Sequence, residues 1–69
     1  MNKQELIRRT RVVAAAQGRE FRQVDLPDHV GIVVGQTRST IGSSLEVADG
    51  TAAAFFKHFE AELGKKWWR

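Results

Sequence analysis

The sequence predicts an α+β domain: one helix, a three-stranded antiparallel sheet and a second helix, with both helices on one sheet face. Three observations predict it. The two ends, "NKQELIRRTRVVAAAQ" and "DGTAAAFFKHFEAELGKKWW", repeat apolar residues at helical spacing. The middle is rich in β-branched residues, whose Cβ substituents favour a pleated strand over a helix. That middle is cut by turn chemistry at Pro27-Asp28 and again at "GQTR".

The first helix has Asn2 as its cap and Glu5 three residues on, the spacing of a capping box, and Gly18 as its stop. At about 100° per residue, Leu6, Ile7, Thr10, Val13 and Ala14 gather on the packing side, and Gln4, Arg8, Arg11 and Ala15 face out. In "EFRQVDL", Phe21, Gln23 and Asp25 alternate with Arg22, Val24 and Leu26, the period of a first strand. "HVGIVV" is the second strand. "STIGSSLEV" reads as a third, with Gly42 as a bulge and Leu45 and Val47 among its apolar residues. The last helix takes Asp49 or Thr51 as its cap and Gly64 as its stop. Ala52, Phe55, Phe56, Phe59 and Leu63 form its stripe, which makes it the main core-former, with Trp67 near the stripe's edge if the helix runs on. Short connections between neighbouring strands favour a meander.

Sixty-nine residues make a single domain, residues 1–69, with a thin core that a homodimer would thicken. The absence of cysteine excludes disulfides and thiolate metal sites. No apolar run approaches the roughly 18 residues of a membrane span and no leader is apparent, so the expectation is a soluble cytoplasmic protein. Residues 1–22 carry six basic groups and two acids, residues 23–56 hold Arg38 against four acids, and four basic groups and two acids follow. Basic ends around an acidic middle suit a polyanion on one face and a different partner on another.

Few residues here can carry chemistry. His29 opens the second strand, and an imidazole with a near-neutral pKa can move the protons of phosphodiester cleavage. A turn histidine without a role is the alternative. Asp28 beside it is set aside as a ring partner, because adjacent strand residues point to opposite faces. His58 reads as a boundary residue on the last helix, and neither histidine has metal-ligand spacing, so no cofactor or metal is expected. A triad of Ser43, His29 and Asp49 has no spacing to support it, and Gly31, Gly35 and Gly42 fit no phosphate loop.

Several stretches resemble the HicA-type toxins of the HicA/HicB toxin–antitoxin systems, whose fold is like that of double-stranded-RNA-binding domains. "NKQELIRR" resembles their opening "K-x-L-I" helix, and "QGREFRQ" their Gly-aromatic-charged strand. "PDHVGIV" resembles the turn that places their catalytic histidine, "RSTIG" their Arg-x-Thr-Ile strand, and "LEVADGT" the lead into their last helix. Pro27 stands where they have glycine, Val30 replaces their second histidine, and Gly42-Ser43-Ser44 replaces a Pro-x-His. The resemblance implies a metal-independent endoribonuclease that cuts messenger RNA with His29, bound by an antitoxin protein over the open sheet face. Arg22 and Arg38, on strands flanking His29, are the candidate cations for the phosphorane charge, and Arg8 and Arg11 on the first helix are further candidates for RNA contact.

Two other readings compete. "GQTRSTI" resembles the opening of a recognition helix, which would set Thr37, Arg38, Ser39 and Thr40 on DNA in a dimeric helix-turn-helix regulator. That reading needs a helix built from Val30, Ile32, Val33 and Val34 with two glycines, which is poor helix material. Alternatively the protein is a non-enzymatic inhibitor of phage or plasmid type that grips another protein, with "KKWWR" as its contact or as a lid on the core.

Overall fold

A computed structural model describes the whole chain, Met1–Arg69. Helix α1 (Lys3–Ala16) starts where Asn2 accepts hydrogen bonds at its Oδ1 from the N–H groups of Gln4 (2.8 Å) and Glu5 (3.3 Å). Two of the orphan donors of the first turn are thereby satisfied. Glu5 does not complete a capping box. Its carboxylate turns outward to Arg8, at 2.7 and 2.9 Å, and to Arg9. The helix ends at Ala16, and Gly18, at φ +69°, takes the left-handed conformation that reverses the chain.

Strands β1 (Phe21–Asp25), β2 (His29–Val34) and β3 (Thr37–Gly42) form the meander β1-β2-β3, antiparallel throughout. The second turn is only Gly35-Gln36, with Gly35 at φ +59°. β3 therefore starts two residues earlier than the sequence suggests and stops at Gly42, so Gly42 ends a strand instead of bulging one. Leu45 lies outside the sheet and is 68% exposed. Val47 is buried by a different route. The segment from Leu45 to Val47 pairs with the start of the chain, Lys3 N–H donating to Leu45 O and Val47 N–H to Met1 O, each at 2.7 Å. Backbone pairing to a remote segment leaves no local sequence signal, which is why this piece reads as an extension of the third strand.

Helix α2 (Asp49–His58) is capped at Ala48, with no side-chain hydrogen bond to its first turn. Asp49 is its first residue instead of its cap, where its carboxylate still meets the positive end of the helix dipole. The helix breaks at Phe59 and resumes as the single turn α3 (Glu60–Leu63), which Gly64 ends at φ +98°. The chain then folds back. Trp67 is buried, and its indole N–H donates to Phe56 O at 2.7 Å. Trp68 stacks on Phe56, with ring centroids 5.5 Å apart. Trp67 is therefore spent on the core, and Trp68, half-buried, packs against it.

One core joins Leu6, Ile7 and Ala14 of α1, Val30, Ile32 and Val34 of β2, Ile41 of β3, Phe55 and Phe56 of α2, Phe59 at the break and Leu63 of α3, with the half-buried Phe21 of β1 packed against it. Alternation puts Val30, Ile32 and Val34 under the helices and His29, Gly31 and Val33 on the opposite face, which no element covers. Thr10, buried among apolar residues, returns its hydroxyl to Leu6 O at 2.9 Å. Residues Thr37–Thr40 are strand and Val30–Val34 are strand, so a recognition helix and the helix before it are both absent. No helix is long and apolar enough to cross a membrane.

Candidate active site on the open sheet face

Pairing and parity decide what the uncovered face carries. Arg22 lies opposite Val33, and Val33 opposite Arg38, so the two arginines flank one row of the sheet. The next row on that face is Val24, Gly31 and Thr40, and His29 stands opposite Gly42 at the end of β2. A shallow depression of about 330 Å³ runs along this surface, with His29 and Arg38 on its rim, Val24, Leu26 and Val33 on its walls and Gly31 in its floor. Gly31 makes the depression, because any side chain there would stand up between its neighbours. Such a volume lies at the small end of ligand sites.

His29 and Asp28 are in direct contact, Nδ1 to Oδ1 at 2.6 Å, contrary to the expectation that they diverge. Strand alternation governs two residues of one strand, and Asp28 belongs to the turn before β2. An ionised carboxylate only accepts, so Nδ1 carries the hydrogen and the ring is turned with Nε2 available. Nε2 has no hydrogen-bond partner within the chain. The sequence signal for this contact is the Asp28-His29 pair itself.

His29 and Val33 are four residues apart on β2, about 13 Å at 3.3 Å per residue. Arg38, on the rim shared with His29, reaches into the same depression, whereas Arg22 lies beyond Val33 and is loosely paired with Glu20 at 3.7 Å. Of the two candidate cations, which share the Val33 row, Arg38 lines the depression with His29 and Arg22 does not. Arg8 and Arg11 are not part of this surface. They line a separate groove with Gln4, Ile7 and Gln23, where α1 crosses β1 on the helical side of the sheet. Arg8 is also bound to Glu5 there.

His58 has a structural post. Its Nε2–H donates to Arg38 O at 2.8 Å, and its ring meets Phe59 edge-on, so it ties α2 to the outside of β3. Ser43 and Asp49 make no hydrogen bond or ion pair with His29, and no three metal-ligating side chains converge anywhere in the chain. A residue the sequence did not single out is Glu62. Its half-sheltered carboxylate accepts from Gln36 N–H (3.2 Å) and the Thr37 hydroxyl (3.1 Å) and meets Arg19 at 3.4 Å, clamping the β2–β3 turn to α3. Comparison with family models, curated proteins and solved structures finds no match to this chain.

Proposed function

We propose that the protein binds single-stranded RNA along the open sheet face and cuts it with His29, without a metal ion. The supporting observation is the depression in which His29, its ring held by Asp28, shares a rim with Arg38. One nucleotide laid over Gly31 meets Val24 and Val33 with its apolar faces and Arg38 with its phosphate. His29 Nε2 then takes the proton of the ribose 2′-hydroxyl, whose oxygen attacks the adjacent phosphorus. A 2′,3′-cyclic phosphate forms, and the same imidazolium returns the proton to the departing 5′-oxygen. One histidine in both roles, with one cation beside the phosphorane, predicts a slow enzyme. No aromatic side chain lies on this face, so affinity comes from phosphate contacts and falls with salt.

A second reading, a scaffold that grips another protein, rests on Val24 and Leu26, 49% and 42% exposed beside the same depression. A neutralising protein partner would seat on the same face, so the two readings share a surface and differ in chemistry.

The test is incubation of 5′-labelled RNA oligonucleotides with the protein in EDTA, with binding followed by anisotropy. The wild type is expected to bind, with affinity falling as salt rises, and to leave cyclic-phosphate ends. His29→Ala keeps the binding and loses the cleavage, Asp28→Asn slows cleavage, and Arg38→Ala weakens binding and lowers the salt slope by about 0.7. Cleavage that survives in His29→Ala removes the enzyme reading. Absence of RNA binding at low salt removes both parts and leaves the protein-binding scaffold.

A further inference from the structure

The two edges of the sheet are finished differently. On the outer side of β3, His58 donates to Arg38 O and Glu62 accepts from Gln36 N–H and the Thr37 hydroxyl, so helix side chains cover the Gln36–Arg38 end of that edge. β1 has no such cover. The hydrogen bonds Gly35 N–H to Glu20 O and Leu26 N–H to His29 O bracket its hairpin and fix which rungs carry bonds. Those rungs alternate, at residues 20, 22, 24 and 26, so the N–H and C=O groups of Phe21, Gln23 and Asp25 point away from β2. None of the three makes a backbone hydrogen bond in a turn, cap or loop, and Arg22 through Asp25 are all exposed. The strand has no proline, lysine or bulge to blunt it.

We propose that two copies of this chain pair through β1, antiparallel and centred on Gln23, into one continuous six-stranded sheet. The register follows from the strand itself. Centring on Gln23 sets Phe21 against Asp25 of the second copy, Gln23 against Gln23, and Asp25 against Phe21, so every outward-facing backbone group meets a partner. Centring on Arg22 or Val24 loses one of these three rungs, and centring on Arg22 also sets two guanidinium groups face to face. In the chosen register each Arg22 lies opposite the second copy's Val24, half exposed in the single chain, and covers it with its alkyl stem. The two-fold axis stands perpendicular to the sheet, so both open faces look the same way. Pairing also adds buried surface to a chain whose own core is thin.

Sedimentation equilibrium without RNA, over micromolar to millimolar concentration, tests the pairing, with circular dichroism confirming that each variant is folded. The wild type is expected to show a reversible monomer–dimer equilibrium. Val24→Lys sets a cation against Arg22 twice per dimer and is expected to raise the dissociation constant about tenfold. Adding Arg22→Glu to Val24→Lys makes opposite charges of the same contacts and restores the dimer. Hydrogen exchange at the Gln23 and Asp25 amides should slow as concentration rises. A wild type that stays monomeric at millimolar concentration overturns the proposal. So does a dimer indifferent to Val24→Lys, or one that the double variant fails to restore. None of these measurements depends on whether the protein binds RNA.

Discussion

Phe59 and Leu45 are both large apolar residues that the sequence places in structured elements, yet the structure gives them opposite stakes. Phe59 is fully buried, with its ring 5.0 Å from that of Phe55 and in edge contact with His58. Truncation to alanine removes the ring and leaves a cavity that the surrounding α2, α3 and sheet residues fill only in part. Such changes cost about 3–5 kcal/mol. At roughly 0.05–0.15 kcal/mol per residue, a chain of 69 residues has only about 3–10 kcal/mol to lose. Phe59→Ala should therefore remove at least about 30% of the stability. Leu45, 68% exposed and outside the sheet, should change it by less than about 0.5 kcal/mol when made alanine. Urea titration followed by the fluorescence of Trp67 and Trp68 measures both. A loss below about 1 kcal/mol for Phe59→Ala, or a loss for Leu45→Ala as large as that for Phe59→Ala, would refute the assignment of the core.

Three further outcomes follow from local geometry. Gly35→Ala should destabilise by about 1–2 kcal/mol, because φ of +59° suits glycine and an added Cβ would lie 2.5 Å from Glu62 Oε2. Combining it with Glu62→Ala should recover only the contact part of its own effect, which a double-mutant cycle in urea resolves. Trp67→Phe loses the indole donor to Phe56 O and part of the buried ring, a loss of at least about 1 kcal/mol in the same assay. The hydrogen bonds from Arg8, chiefly, hold the Glu5 carboxyl below its ordinary pKa of 4.5, with help from the charges of Arg8 and Arg9. A depressed folded value adds stability that is complete above the ordinary range and is lost as pH falls through the folded value. Melting temperature should therefore show a small acid-side decline that Glu5→Gln lessens, and high salt should shrink the difference. An unchanged acid limb in Glu5→Gln would show that the contact contributes nothing.

Local rules of the chain settled the elements. The 3.6-residue stripe of Leu6, Ile7, Thr10 and Ala14, the Asn2 cap and the branched run from Val30 to Val34 each act within a turn or a strand, so each is legible one segment at a time. The layout of helix, meander and closing helix followed from them. Tertiary structure decided what depends on residues far apart. It ended β3 at Gly42, sent Leu45–Val47 to pair with the chain's start, and folded Trp67 back under Phe56. It also brought Arg38 into the depression with His29, left Arg8 and Arg11 on the other side of the sheet, and set Glu62 across the β2–β3 turn. The division has a physical basis. Periodicity and capping are properties of neighbours along the backbone, whereas a clamp, an edge or a shared rim exists only after long-range packing has chosen which neighbours in space each side chain has.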